Sequence, residues 1–279
     1  QTHYSLRGLT LHAPGGSIVV ILGSSGTGKT SLIEAMMWAN TCRVNNTAFP
    51  SFFPRLEHGE LIFQGRNVNE WDLQSWKKQV SVLRQNRARF CMTLAENIII
   101  GKRSEDDILR SSTHRKNCQR TDVVEALSLA GAAYLVDSLP DGLDTLLMDD
   151  DNMDENYFAE ARTNAKVVLS SGEWNAVARA RAFAGFDTSK LILLDDPTVC
   201  MSEIEIEEFM GNLRRRVHEA PHRPVVVIAT QDARLCDEKF SDIVAILGRG
   251  GAVLDVIGGK AIAKETADAT QGSNNPESA

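Results

Sequence analysis

One loop restricts the fold more than any other stretch of the chain. Gly23-Ser24-Ser25-Gly26-Thr27-Gly28-Lys29-Thr30 fits the pattern GxxxxGK[ST], follows the apolar run SIVVIL and opens a helical pattern. Strand, glycine-rich turn and helix in that order enclose a small concavity. The glycines let backbone N–H groups turn inward, and the helix start adds partial positive charge at the same place. Such a concavity suits a chain of phosphates. Lys29 would reach the β and γ phosphates of a nucleoside triphosphate, and the Thr30 hydroxyl would ligate Mg2+. A chain of this length fits the pattern by accident about once in a hundred, and the flanking strand and helix lower that figure, so the loop is taken as functional.

The rest of the chain supplies the sheet that such a loop needs. Short apolar runs rich in β-branched residues occupy residues 17–22, 79–83, 191–194, 225–229 and 243–247. Their hydrophobicity is continuous rather than alternating, which marks strands buried on both faces of a parallel sheet. Helical patterns cover residues 30–40, with apolar Leu32, Ile33, Met36 and Met37, and residues 175–183. The class is therefore α/β with helices flanking the sheet. Residues 244–247 and 252–256, joined by Gly248-Arg249-Gly250-Gly251, read as an antiparallel hairpin. Residues 102–120 read as a loop around one short helix, and 261–279 as a disordered polar tail. One apolar run ends in carboxylates, Leu191-Ile192-Leu193-Leu194-Asp195-Asp196. An aspartate so placed, here Asp195, completes a magnesium-triphosphate site by holding the ion through water.

Charge and cysteine usage exclude other classes. With 37 acidic against 30 basic residues the net charge is -7, so a basic face for nucleic acid is not expected. The five cysteines are scattered without a CxxC pair, which fits a reducing compartment and neither a disulfide framework nor a zinc site. No run approaches the roughly 18 to 20 apolar residues that span a bilayer, so any membrane link is expected to come through a partner or a segment outside this sequence. Asp149, Asp150, Asp151, Asp154, Glu155 and Glu160 form an acidic cluster. It fails as a calcium loop, because counting from Asp150 the glycine position holds Glu155 and the twelfth holds Ala161. Arg214-Arg215-Arg216 follows Glu203, Glu205, Glu207 and Glu208 and reads as a mixed-charge exposed helix face.

Several weaker motifs then fall in one order. Leu6-Arg7-Gly8-Leu9-Thr10-Leu11 with Gly15-Gly16 stands where opening strands are expected. Gln85 follows the second strand pattern, and Thr93-Leu94-Ala95-Glu96-Asn97-Ile98 comes next. Residues 126–132 and 139–145 precede Leu169-Ser170-Ser171-Gly172-Glu173, and Ala180-Arg181-Ala182-Phe183 lies beyond it. In this order and spacing the chain resembles the nucleotide-binding domain of ABC transporters, most closely the exporter type, from about residue 6 to 259. The resemblance implies a P-loop NTPase with a mainly parallel central sheet, an antiparallel β subdomain and an inserted helical lobe. Residues 1–260 would form this domain, its core about 1–85 and 186–260 and the lobe about 86–185. It implies ATP and Mg2+ as ligands, with Thr30, Gln85 and Asp195 toward the metal, and Gly23 through Thr30 around the phosphates. It also implies a head-to-tail pair with a second such domain, homo- or heterodimeric. There Ser170 and Gly172 at a helix start would meet the γ-phosphate from the opposite side. Tyr4 is the candidate aromatic for stacking on adenine.

The departures from the family pattern bear on hydrolysis. Gln85, Asp196 and Gln231 occupy catalytic places, but the family has glutamate at 196 and histidine at 231. One methylene fewer withdraws the carboxylate by about 1 to 1.5 Å, and glutamine donates a hydrogen bond without becoming cationic. Ser202 stands for the aspartate closing the family's SALD loop, and Asn175-Ala176 for the Gln-Arg pair after the signature. ATP hydrolysis is accordingly expected to be slow. The implied role is the ATPase of a membrane exporter, held at the cytosolic face by a transmembrane domain on the same or another chain. A soluble ABC protein that uses ATP as a conformational clamp is the alternative. A P-loop kinase is a third reading, which leaves the signature-like segment without a use.

Overall fold

The computed structural model describes residues 6, 8–38, 59–102, 115–148, 166–248 and 251–258. In chain order the strands are β1 (Ile18–Gly23), β2 (Ile62–Phe63), β3 (Arg66–Asn67), β4 (Val80–Leu83), β5 (Leu146–Met148), β6 (Lys166–Val168), β7 (Leu191–Asp195), β8 (Val225–Thr230), β9 (Ile243–Leu247) and β10 (Val253–Ile257). The helices are α1 (Lys29–Met37), α2 (Leu73–Gln79), α3 (Leu94–Ile99), α4 (Arg115–Leu129), α5 (Tyr134–Ser138), α6 (Ser171–Phe183) and α7 (Glu203–Glu219).

Six strands form the central sheet in the order β10-β9-β1-β8-β7-β4. All neighbours are parallel except β10, which lies antiparallel to β9 at the edge. The continuous apolar runs follow from two separate cores. Successive residues of a strand point to opposite faces, so β1 sends Ile18 and Val20 into one core and Val19 and Ile21 into the other. In the same way β7 divides Ile192 and Leu194 from Leu191 and Leu193. The first core is closed by α4, α6 and α7 through Leu127, Val177 and Phe209, and the second by Ile33 of α1 and by Trp76 of α2. With both faces covered, the chain has the α/β architecture read from its sequence, and the strand limits agree with that reading to within one residue.

Three details depart from expectation. Residues 8–14, expected in opening strands, form no strand, yet Leu6, Leu9 and Leu11 still pack partly buried on the second core. The helix expected as a short one within 102–120 is α4, which runs on to Leu129. Val123, Ala126, Leu127 and Leu129 of its second half are buried, whereas the sequence of its first half, Arg115 to Thr121, carries no apolar periodicity. A small parallel pair, β5 with β6, and a small antiparallel hairpin, β2 with β3, stand beside the main sheet. The hairpin turns at Gln64 and Gly65, both at positive φ, as a tight two-residue turn demands.

The arginine run of α7 is spread over ion pairs with other elements rather than with the glutamates of its own helix. Arg214 pairs with Asp242, and Arg216 with Asp187 and Glu125. Among the described residues no helix is long and apolar enough to cross a membrane. Tyr4, the acidic cluster of residues 149–160 and the tail 261–279 lie outside the described residues.

Candidate functional site

Parallel strands deliver their carboxyl ends to one edge of a sheet, where open α/β folds bind ligands. Here β8 lies between β1 and β7, with Leu22 opposite Thr230 and Asp195 opposite Ala229. The loop after β1, the pair Asp195-Asp196 and Gln231 just beyond β8 therefore leave the sheet together. Gln85 joins them two residues past the end of β4, whose Leu83 is opposite Leu194.

The loop is shaped by its glycines. Gly26 and Gly28 have φ of 78° and 92°, which an L side chain would strain. At Gly23 the constraint is space, because a Cβ would fall 2.5 Å from the Thr27 hydroxyl and 3.1 Å from the Leu247 carbonyl. That hydroxyl is buried and donates to the Ser24 carbonyl at 2.9 Å. Lys29 is 6% exposed, and its ammonium donates to the carbonyls of Gly23 at 2.7 Å and Ser24 at 2.9 Å. Two of its three protons hold the loop, and the third is available to a ligand. The N-cap of α1 is Gly28, which has no side chain to cap with, and no acidic residue follows in the first turn. By contrast α3, α6 and α7 each start with a reciprocal Ser/Thr–Glu cap. The amides at the start of α1 are thus open to an external anion.

Three oxygen donors gather beside this loop. The Thr30 hydroxyl donates to the Gln85 side-chain oxygen at 3.4 Å. Asp195 is 1% exposed, and its Oδ1 has no hydrogen-bond partner among the described residues. Burial raises its pKa, against the polar influence of the nearby Thr30 hydroxyl; the neighbouring Asp196 adds to the rise, and Lys29 and Arg87 oppose it. A buried carboxylate oxygen without a partner is costly, and a hard divalent cation would satisfy it. Hydroxyl, amide and carboxylate oxygens are the donors Mg2+ takes, with water and phosphate filling the other positions. The residues present fit that ion. Among the described residues no group of three or more His, Cys, Asp and Glu stands together.

Asp196 sits at φ 45°. Its N–H donates to the Ala229 carbonyl at 2.8 Å, and its own carbonyl accepts from Arg87 Nη2 at 2.7 Å. Gln231 is exposed, and the buried Thr230 hydroxyl before it accepts from the Asp232 N–H at 3.0 Å. Sequence reasoning did not single out Arg87. Its partners Asn175 and Asp196 lie 88 and 109 residues away, which leaves no local pattern to read. A second arginine, Arg181, holds the same segment from α6. It donates to the carbonyls of Ala88 at 2.9 Å and Asn97 at 2.8 Å and lies over the Phe90 ring.

Ser170 and Gly172 stand at the start of α6. The Ser170 hydroxyl donates to the Glu173 carboxylate at 2.7 Å, and the Glu173 N–H returns a bond to it at 3.3 Å. This is a reciprocal cap, and the spacing Ser-x-x-Glu could have pointed to Glu173 from the sequence. Among the described residues no hydrogen bond joins Ser170 or Gly172 to the phosphate loop. Ser202, in the place where the family pattern has aspartate, is the N-cap of α7 and bonds reciprocally with Glu205.

A model of the ABC transporter family matches residues 6–199. The chain belongs to the ABC transporter family. Its relatives include the "ATP-dependent lipid A-core flippase" of Idiomarina loihiensis, 25% identical over 84% of this chain and 32% of that protein. "Multidrug resistance protein pgp-1" of Caenorhabditis elegans is 26% identical over 90% of this chain and 15% of its own length. "ABC transporter B family member 21" of Arabidopsis thaliana is 26% identical over 88% and 15%. The chain thus spans a third or less of each of these relatives. A bacterial Atm1-family ABC exporter with ATP bound shares the fold, with a TM-score of 0.63 at 22% identity over 90% of this chain and 35% of that one. Both the flippase and the multidrug resistance protein support an ABC domain of the exporter type.

Proposed function

We propose that the chain binds MgATP at the Gly23–Thr30 loop and serves as the ATP-driven unit of a membrane exporter, hydrolysing ATP slowly. The observation that carries this reading is the buried Asp195 carboxylate, left with an unpartnered oxygen next to Thr30 and Lys29. Gly23, Ser24, Ser25, Gly26, Thr27 and Gly28 would surround the triphosphate with backbone amides, and the third Lys29 proton would meet its β and γ oxygens. Thr30, Gln85 and Asp195 would hold Mg2+, which when bound neutralises charge on those oxygens. Asp196 would position the attacking water and Gln231 would donate to the γ-phosphate. Asp196 is shorter than glutamate and Gln231 does not become cationic, so both choices favour binding over turnover. Tyr4 remains the candidate for stacking on adenine.

In this reading a second ABC domain, identical or different, closes the site. Ser170 and Gly172 of one domain would face the γ-phosphate held by the other, with the α6 dipole directed at it. The lobe of residues 86–185 would dock on a transmembrane domain carried on the same or another chain, which would place the domain at the cytosolic face of a membrane. The relatives named as a flippase and a multidrug resistance protein support transport as the purpose. Nucleotide-dependent pairing tests the reading. MgATP should shift the protein from monomer to dimer in sedimentation, and Ser170→Ala should abolish the shift while binding by the separate domain persists. A dimer indifferent to both MgATP and Ser170 would refute the sandwich.

A further inference from the structure

Two non-glycine residues near the site hold left-handed backbone, Asp196 at φ 45° and Cys200 at φ 65°. They bracket the turn that carries the Asp196 carboxylate. Left-handed backbone at a non-glycine residue is strained and persists only where surrounding contacts impose it. Beside the Asp196 N–H bond to the Ala229 carbonyl at 2.8 Å and the Arg179 bond to the Pro197 carbonyl at 3.3 Å, one pair of side chains reaches both ends of the turn. Arg87 places Nη2 2.7 Å from the Asp196 carbonyl and 3.5 Å from that of Asp195, while Nη1 donates to the Asn175 amide oxygen. Asn175, in the second turn of α6, donates its side-chain amide N–H to the Cys200 sulfur at 3.4 Å. The near end of the turn is therefore gripped by Arg87 and the far end by Asn175, and each grips the other. Burial lowers the Arg87 pKa, with Asp196 and Asp195 as the opposing charges; its Nε is buried with no partner among the described residues.

We propose that Arg87 and Asn175 act as one brace that holds the 196–200 turn in its strained form and so fixes where the Asp196 carboxylate points. Arg87 is on this view a positioning residue. It acts through Asp196, and it ties the end of β7 to the helix that begins at Ser170. The inference rests on the MgATP reading above, and its test separates the two. A planar fork is needed to reach Asp196 and Asn175 at once, and the point charge of lysine cannot replace it.

The experiment measures MgATP turnover and MgATP binding side by side on the complete protein carrying Arg87→Ala, Arg87→Lys, Asn175→Ala or the double alanine change. Arg87→Ala should lower kcat on the order of ten- to a hundredfold, as a misplacement near 1 Å does, with the Kd for MgATP within about threefold of the parent. Asn175→Ala should lower kcat similarly, and the double variant should fall no more than about twofold further, because two halves of one brace are not additive. Arg87→Lys should stay as impaired as Arg87→Ala. Thermal melting identifies any variant that does not fold, and should Arg87→Ala be one, Arg87→Lys and Asn175→Ala still decide the matter. Additive losses, full activity in Arg87→Lys, or equal losses in kcat and affinity would each overturn the brace. So would a parent that turns over no faster than Lys29→Ala. Absence of MgATP binding in the parent would instead remove the reading beneath it.

Discussion

Lengthening Asp196 by one methylene should speed the reaction. The magnitude follows from how the residue is held. Its N–H is fixed on the Ala229 carbonyl at 2.8 Å and its carbonyl on Arg87 at 2.7 Å, so the added length moves the carboxylate rather than the backbone. The gain in reach is about 1 to 1.5 Å. A displacement of that size is worth up to ~10²-fold in rate, or ~2.7 kcal/mol of barrier. In Asp196→Glu, kcat should therefore rise ten- to a hundredfold, roughly, with the Kd for MgATP within about threefold of the parent. Phosphate release at saturating MgATP measures the first, and calorimetric titration the second. An unchanged kcat, with both proteins turning over linearly at ordinary rates, would refute the idea that the short side chain limits hydrolysis.

Other substitutions test the frame around the site. Trp76 is fully buried, donates its ring N–H to the Met37 carbonyl at 3.0 Å and meets the Phe63 and Trp71 rings edge-on; Trp76→Ala should cost about 3 to 5 kcal/mol in urea unfolding. Gly23→Ala drives a methyl against the Thr27 hydroxyl and the Leu247 carbonyl, and should weaken MgATP binding by tenfold or more, roughly, as read by nucleotide titration. Glu173→Ala removes one half of the α6 cap and should destabilise the fold by about 0.5 to 2 kcal/mol in the same unfolding assay.

The parts of the molecule that were legible in the sequence are those governed by nearby residues. Five sheet strands could be read because burial on two faces makes residues 18–22, 191–194 and 225–229 of β1, β7 and β8 continuously apolar, and the phosphate loop because its glycines, Lys29 and Thr30 fall within eight residues. The hairpin of β9 and β10 followed from the glycines between them. What could not be read depends on distant partners. Residues 6–11 are expected in opening strands, but Leu6, Leu9 and Leu11 serve contact with the second core, and residues 8–14 form no strand. The long helix α4 hid behind a polar first half. Arg87 looked like one more charge in a polar segment, since nothing in its own stretch announces Asn175 or Asp196. The place of Asp196 on a left-handed turn was likewise invisible, because residue type alone does not fix φ.

All of this depends on a triphosphate held by Lys29 and the amides at the start of α1. Calorimetric titration of the folded protein with ATP in the presence and absence of magnesium, repeated on Lys29→Ala, measures that directly. Binding should saturate, require magnesium for full strength, and weaken in Lys29→Ala by about ten- to a hundredfold, the worth of a buried charge-assisted hydrogen bond of ~1.5 to 3 kcal/mol. Folded protein that takes up no ATP saturably, or takes it up equally well without Lys29, would contradict the assignment.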